Sequence, residues 1–359
     1  MQGVWNRLSG FGENIDIIKM EFLIGSEKQF IEFMSNLEAK DKIALVSHND
    51  VDGICSALIV SNVVGGAESI EFLGYSYNML APLVERFKKS KINKVVITDL
   101  AIDREAESIK KLEKFADILI IDHHELLSDL NSKKTTMIKT ISGLPASYVC
   151  YKLFSKINKI PSWIGIIGTL SDNIHKYDSQ NADELFDDFE FDSERGNFYD
   201  KAILLSNAMM YFRGNELKVF DLIKDIKDFS ELDKLKEYSD SIEEEIKYFL
   251  EDFEKNKEER GDLVFYPFNP KYPITSALIN ILSVKDKDKT YVFVTERKGL
   301  VRVSSRSQRG DVDCPELLRK ASAGIPNAVA GGHFKAAGAT IPSQYLNKFR
   351  ENLFKAYGE

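Results

Sequence analysis

The chain has 359 residues, 43% of them hydrophobic and 29% charged, which suits two domains with cores of their own and excludes a disordered or collagen-like chain. Its 48 lysines and arginines against 56 acidic residues leave a net charge of −8, which argues against a general nucleic-acid coat protein. No apolar run nears the roughly 18 residues of a membrane span, no signal-peptide pattern opens the chain, and Cys55, Cys150 and Cys314 form no C-x-x-C. The expectation is a soluble, cytoplasmic protein with no membrane contact and neither a disulfide framework nor a zinc ribbon.

In chain order, Ser26 followed by Gln29 resembles a capping box, and Phe30, Ile31, Phe33, Met34 and Leu37 form an apolar stripe, so a helical extension is predicted over residues 1–40. Ile43–Ser47, Glu71–Tyr75, Lys94–Thr98 and Ile118–Ile121 then read as short buried strands, with helical patterns near 54–64, 79–90 and 103–115. Strands alternating with helices predict an α/β fold with a parallel sheet covered on both faces, whose ligands bind at the carboxyl ends of the strands. Leu153–Asp172 reads as helix broken at Pro161, and the acidic stretch Asp178–Asp200 as a loop or insertion. Ser230–Arg260 is a long charged helix leading to strand-like runs at Leu263–Tyr266, Tyr291–Thr295 and Leu300–Ser304. The predicted division is an extension over 1–40, a catalytic domain over 41–229, a connector helix over 230–260 and a smaller α/β domain over 261–359. The last of these holds a basic block between Arg297 and Gly338, which on charge alone is a solvated face, like the acidic one.

Each strong strand runs into acidic or imidazole residues. The first leads to His48-Asn49-Asp50-Val51-Asp52-Gly53, the third to Asp99 and the fourth to Asp122-His123-His124, while Gly165–Asp172 adds one more aspartate. Singly, Asp50, Asp52 and Asp99 read as turn or helix-capping residues. On one rim of a parallel sheet they make a cluster of carboxylates that repels itself, and divalent metals are the simplest remedy. Of only five histidines, His48, His123 and His124 fall in these clusters, His333 falls in the glycine-rich stretch below, and His175 follows Asp172 by three residues. Imidazole and carboxylate without thiolate suit manganese, with magnesium, cobalt or zinc as alternatives. Two ions about 4 Å apart clamp an in-line displacement at phosphorus. Such a pair needs a bridging carboxylate, and Asp99 is the candidate.

A second signal is Ala330-Gly331-Gly332-His333-Phe334-Lys335-Ala336-Ala337-Gly338, a small-residue loop that either approaches phosphate closely or packs as a tight turn. Upstream, Arg302, Ser304 and Arg306 share one face of a strand, where they can bind phosphate oxygens, and Phe334 can stack a base.

Together these residues resemble the DHH phosphoesterase superfamily. The match covers H-x-D-x-D-G (His48 to Gly53), the aspartate after the next strong strand (Asp99), D-H-H (Asp122 to His124) and the fourth-motif aspartate (Asp172). The G-G-H-x-x-A-A-G stretch (Gly331 to Gly338) is similar to the DHHA1 domain. Within the superfamily the chain looks most like archaeal RecJ-like exonucleases, although it is much shorter than bacterial RecJ. The resemblance implies a parallel-sheet DHH domain with flanking helices, a long connecting helix, a smaller α/β DHHA1 domain, an active site in the cleft between them, and two divalent ions, manganese preferred. It implies His48, Asp50 and Asp99 as ligands of one ion and Asp52, Asp99, His123 and Asp172 as ligands of the other. It places His124 on the scissile phosphate, Asp122 behind its histidine neighbours, and His333 and Arg306 on substrate phosphate, in keeping with the roles read above for Arg302, Ser304, Gly331 and Gly332. The implied activity is an exonuclease that releases mononucleotides from single-stranded DNA or RNA by attack of a metal-bridging hydroxide. The alternatives are a phosphodiesterase of very short RNA, phosphoadenosine phosphate or cyclic dinucleotides, and a scaffold like Cdc45. A replication or repair partner would dock on the N-terminal extension or the acidic insertion.

Overall fold

In the computed structural model, which describes residues 20–76, 78–140, 144–173, 189 and 195–358, the buried aliphatic runs become the middle of a sheet. The chain divides into two units, Met1–Glu237 and Tyr238–Glu359. In the first, β1 (Phe22–Ile24), β2 (Ile43–His48), β3 (Ser69–Leu73), β4 (Lys94–Thr98), β5 (Asp117–Asp122) and β6 (Thr135–Thr140) form one sheet in the order β1-β6-β5-β4-β2-β3. Strands β2 to β6 are parallel, and β1 closes the edge antiparallel to β6.

Alternate residues Ala44, Val46, Val95, Ile97, Ile118 and Ile120 pack with Leu83 and Phe87 of α3 (Ala81–Lys89) and with Ile109 and Leu112 of α4 (Ala106–Leu112). Their neighbours Leu45, Val96, Leu119 and Ile121 are also fully buried, so both faces are covered, as the near-continuous apolar strands require. Helix α2 (Val51–Val64) packs with α5 (Ala146–Phe154) and α6 (Ser162–Asn173). Helices α7 (Arg195–Tyr211) and α8 (Glu216–Ile223) complete the unit, with Phe220 against Phe72. The chain steps from β2 outward to β3 and returns across to β4, so β2 and β4 border a topological switch point, the place where open α/β sheets bind ligands at the carboxyl ends of their strands.

The second unit contains α9 (Lys236–Asn256), whose first two residues precede the dividing point, and a sheet of different character. Its strands β7 (Glu258–Arg260), β8 (Leu263–Pro267), β9 (Thr290–Arg297), β10 (Leu300–Ser307), β11 (Val329–His333) and β12 (Ala336–Pro342) lie in the order β11-β12-β10-β9-β8-β7. Only β8 and β9 are parallel. One face, with Phe265, Val292, Val301 and Val303, is covered by α11 (Cys314–Ala321) and α12 (Leu346–Gly358). On the other, Phe253 of α9 meets Tyr266 and Phe293 at 5.2 and 5.8 Å. Helix α10 (Thr275–Lys285) buries Leu278, Ile279 and Leu282.

The α/β expectation holds for both units, with one refinement: the second sheet is mostly antiparallel. Within the 1–40 stretch the structure has strand β1 as well as helix α1 (Glu27–Ser35), the latter capped by Ser26, whose Oγ accepts from Gln29 N at 3.3 Å. Glu71–Tyr75 is corrected to β3, which begins two residues earlier. The small-residue loop at 330–338 is corrected to a hairpin. Strands β11 and β12 pair Gly331 with Gly338 and His333 with Ala336 across the two-residue turn Phe334–Lys335. Its glycines serve pairing rather than a loop: a Cβ on Gly332, at φ +143°, would come within 2.5 Å of Ala336 O. His175 and most of the acidic 178–200 stretch lie outside the described residues.

Candidate metal centre

The cluster is assembled by strand ends. His48 closes β2, and Asp50 caps α2, its Oδ1 accepting from Gly53 N at 2.9 Å. The turn demands glycine at 53, because a Cβ there would sit 2.2 Å from His48 O. Asp52, fully buried in the first turn of α2, accepts from Ala146 N at 2.8 Å and Ser147 N at 2.9 Å, at the start of α5. Helix capping and ligation are therefore not rival readings of these aspartates: a carboxylate has lone pairs enough for both, and the cap fixes its direction.

Asp99, one residue past β4, is 2% exposed and has φ +57°. The left-handed region is uncommon for a non-glycine residue, and such strain collects at functional sites. The conformation aims the two carboxylate oxygens in different directions. Oδ2 lies 3.6 Å from His48 Nδ1, and Oδ1 lies 3.3 Å from His123 Nε2. His123 Nε2 is also 3.5 Å from Asp172 Oδ2, at the last turn of α6, and 3.9 Å from Asp52 Oδ2. Ligand atoms thus gather into His48–Asp50–Asp99, Asp52–His123–Asp172 and Asp99–His123–His124, each within 4.8 Å.

This donor set fits divalent cations. His48 Nδ1 comes 2.7 Å from Asp50 Oδ2 but, among the described residues, lacks a partner in hydrogen-bond geometry, and buried Asp99 Oδ2 has none there either. Buried polar atoms left this way call for an ion or a solvent partner. The electrostatics agree. Burial pushes Asp52 well up, with Asp99 and Asp172 adding to it, and burial with Asp99 raises Asp172 to about 6. Burial opposes charge on His48, yet Asp50 and Asp99 lift it to about 10; Asp99, Asp52 and Asp172 do the same to His123, also to about 10. In the metal-free protein these protons supply the positive charge that the carboxylates require.

Asp122 is fully buried at the end of β5 and belongs to none of these three groups. Its Oδ1 accepts from His124 Nδ1 at 2.7 Å, and its Oδ2 lies 3.0 Å from Lys139 Nζ. Burial alone would raise its pKa, but His124 and Lys139 hold it down at about 2. Lys139 is itself fully buried and donates to Asp103 Oδ2 at 3.1 Å and Glu125 O at 2.8 Å. The sequence reading missed Lys139, Asp103 and Tyr75, whose hydroxyl lies 2.9 Å from His124 Nε2. Lys139 carries no signal of its own in the sequence, since a lysine among threonines reads as exposed until β6 is recognised as a buried strand.

In the second unit Arg302, Ser304 and Arg306 do share one face of β10, with Val301, Val303 and Ser305 buried on the other. Arg306 is half-buried, its Nε has no hydrogen-bond partner among the described residues, and burial lowers its pKa. In register it lies between Tyr291 and Ala336, while His333, Gly331 and Gly332 are exposed on edge strand β11. The hairpin tip is tied down, with Phe334 O accepting from Cys314 N and Lys335 O from Ser307 N.

Two family models match the chain: the DHH family N-terminal domain over residues 42–170 and the DHHA1 domain over residues 263–359. The fold is similar to that of an exonuclease RecJ bound to manganese, with TM-score 0.66 and 13% identity over 96% of each chain. It is similar to RecJ from Thermus thermophilus in complex with Mn2+, with TM-score 0.67 and 15% identity over 99% of this chain, which spans 58% of that one. CDC45 from Entamoeba histolytica matches with TM-score 0.54 and 12% identity over 93% of this chain and 99% of that one. At such identities the likenesses establish the fold. No curated protein matches the sequence. Among the described residues no helix is long and apolar enough to cross a membrane.

Proposed function

Because the chain belongs to the DHH/DHHA1 superfamily, we propose that it is a divalent-metal-dependent phosphodiesterase that shortens single-stranded DNA or RNA from an end, releasing mononucleotides. The observation that carries this reading is Asp99, whose two oxygens face two different sets of ligand atoms. His48, Asp50 and Asp99 would hold one ion, and Asp52, Asp99, His123 and Asp172 the other, with manganese favoured over magnesium or cobalt. Bound there, the ions would supply Lewis acidity toward the phosphoryl oxygens and an acidified water. The remaining work falls to the chain. Asp122 accepts a hydrogen bond from His124 Nδ1–H, which directs Nε2 toward the cluster and the scissile phosphate. Arg306, with its unpaired Nε, grips backbone phosphate, helped by His333, Arg302, Ser304 and the backbone of Gly331 and Gly332. A non-catalytic scaffold reading gains nothing here, since every ligand that it would lose is in place.

The test is a manganese-dependent digestion of 5′- and 3′-labelled DNA and RNA strands, run beside dinucleotides and cyclic di-AMP, with Asp99→Asn as control. Stepwise shortening of long strands, abolished by the variant, is expected. Activity confined to dinucleotides or cyclic di-AMP, or activity on nothing, overturns the reading.

A further inference from the structure

We propose that Tyr75 positions the substrate: its hydroxyl holds on His124 Nε2 the place of a phosphate oxygen, and its exposed ring is the platform for the base or sugar beside the scissile phosphate. The inference rests on the phosphodiesterase reading above. Tyr75 follows β3 by two residues, in a segment tied to the first cluster by Asn49 N donating to Leu73 O at 3.1 Å. Its ring centroid is 4.8 Å from that of His48, tilted by 43°, and 5.6 Å from that of His124, at 76°. One aromatic ring therefore touches both His48 and His124, which belong to different groups of the cluster.

The ring is packed on one side only. Tyr148 and Tyr266 are fully buried, whereas Tyr75 is 51% exposed. A half-open aromatic face at the rim of an otherwise polar cluster suits a planar or sugar group, and stacking on it is indifferent to base identity. The hydroxyl sits 2.9 Å from His124 Nε2, while Nδ1 of the same ring is committed to Asp122 at 2.7 Å. A phosphate oxygen only accepts, so on reaching Nε2 it must replace the phenol oxygen as the acceptor of Nε2–H. The exchange is inexpensive, since the freed hydroxyl can turn to water. Tyr75 thus keeps the imidazole aimed while no substrate is present and yields it when one arrives.

The experiment uses the full chain loaded with calcium and a phosphorothioate single strand, with binding read by fluorescence anisotropy, beside manganese-dependent digestion of an ordinary strand. Tyr75→Ala should bind roughly tenfold more weakly, while Tyr75→Phe, which keeps the ring, should stay within about twofold of wild type. The 15N signal of His124 Nε2 should differ between wild type and Tyr75→Phe in the free proteins and coincide once the strand is bound. Wild-type affinity in Tyr75→Ala, with wild-type digestion intact, overturns this inference alone. A wild-type protein that neither binds nor digests strands overturns the phosphodiesterase reading and this inference with it.

Discussion

The two sheets solve different problems with the same number of strands. In the first, parallel strands end together, so groups distant in sequence (His48, Asp99, His123) meet within a few ångströms at one rim. In the second, β10 crosses a mostly antiparallel sheet and displays Arg302, Ser304 and Arg306 at two-residue intervals along one face. The rim concentrates carboxylates beyond what they tolerate without cations. The face spreads cationic and hydroxyl groups at a spacing that suits an extended anion.

The contrast breaks most sharply at Asp99. Asparagine keeps the shape and tolerates the left-handed backbone, so Asp99→Asn should fold. A bound metal stabilises a phosphoryl transition state by several kcal/mol, so the variant should lose roughly a thousandfold in kcat. Steady-state digestion checks this, with the melting temperature as the control for folding. Next is the charge beneath the rim. Lys139→Met leaves Asp103 and Asp122 buried without their cation, which should cost about 3–5 kcal/mol in denaturant unfolding. On the face the effects are smaller. Arg306→Ala should lower strand affinity and reduce the slope of log K against log salt by about one, with kcat little changed.

The last effect is in pH, and its sign follows from the rim alone. His48 and His123 hold protons to about 10 in the metal-free fold, against an ordinary 6.5. Their contribution to stability is complete below 6.5 and is lost as pH rises toward 10. Asp172, raised to about 6 from 3.8, withdraws stability over the window between those values as pH rises. Metal-free protein should therefore melt progressively lower across the alkaline window. Manganese should release protons on binding near neutral pH, because it replaces them at these ligands. Melting curves and a weakly buffered titration check both.

The legibility of the molecule follows the same divide. The rim could be read because parallel strands are continuous apolar runs and their loops carry rare residue types: β2, β4 and β5 and the residues after them stand where the sequence put them. Strand β6 was missed because T-T-M-I-K-T has no apolar run, its lysine being buried through ion pairs rather than exposed. The hairpin was missed because glycines and alanines carry no strand periodicity, so β12 is set by pairing with β10, and β11 by pairing with β12, rather than by propensity. Tyr75 was missed because nothing local marks a tyrosine after a strand as facing histidines 27 and 49 residues away.

The most direct measurement is anomalous diffraction from crystals of the protein soaked in manganese. The account predicts two peaks flanking Asp99, one against His48 and Asp50 and the other against Asp52, His123 and Asp172. No manganese at this cluster, or a single ion that leaves one oxygen of Asp99 without a metal, would contradict it.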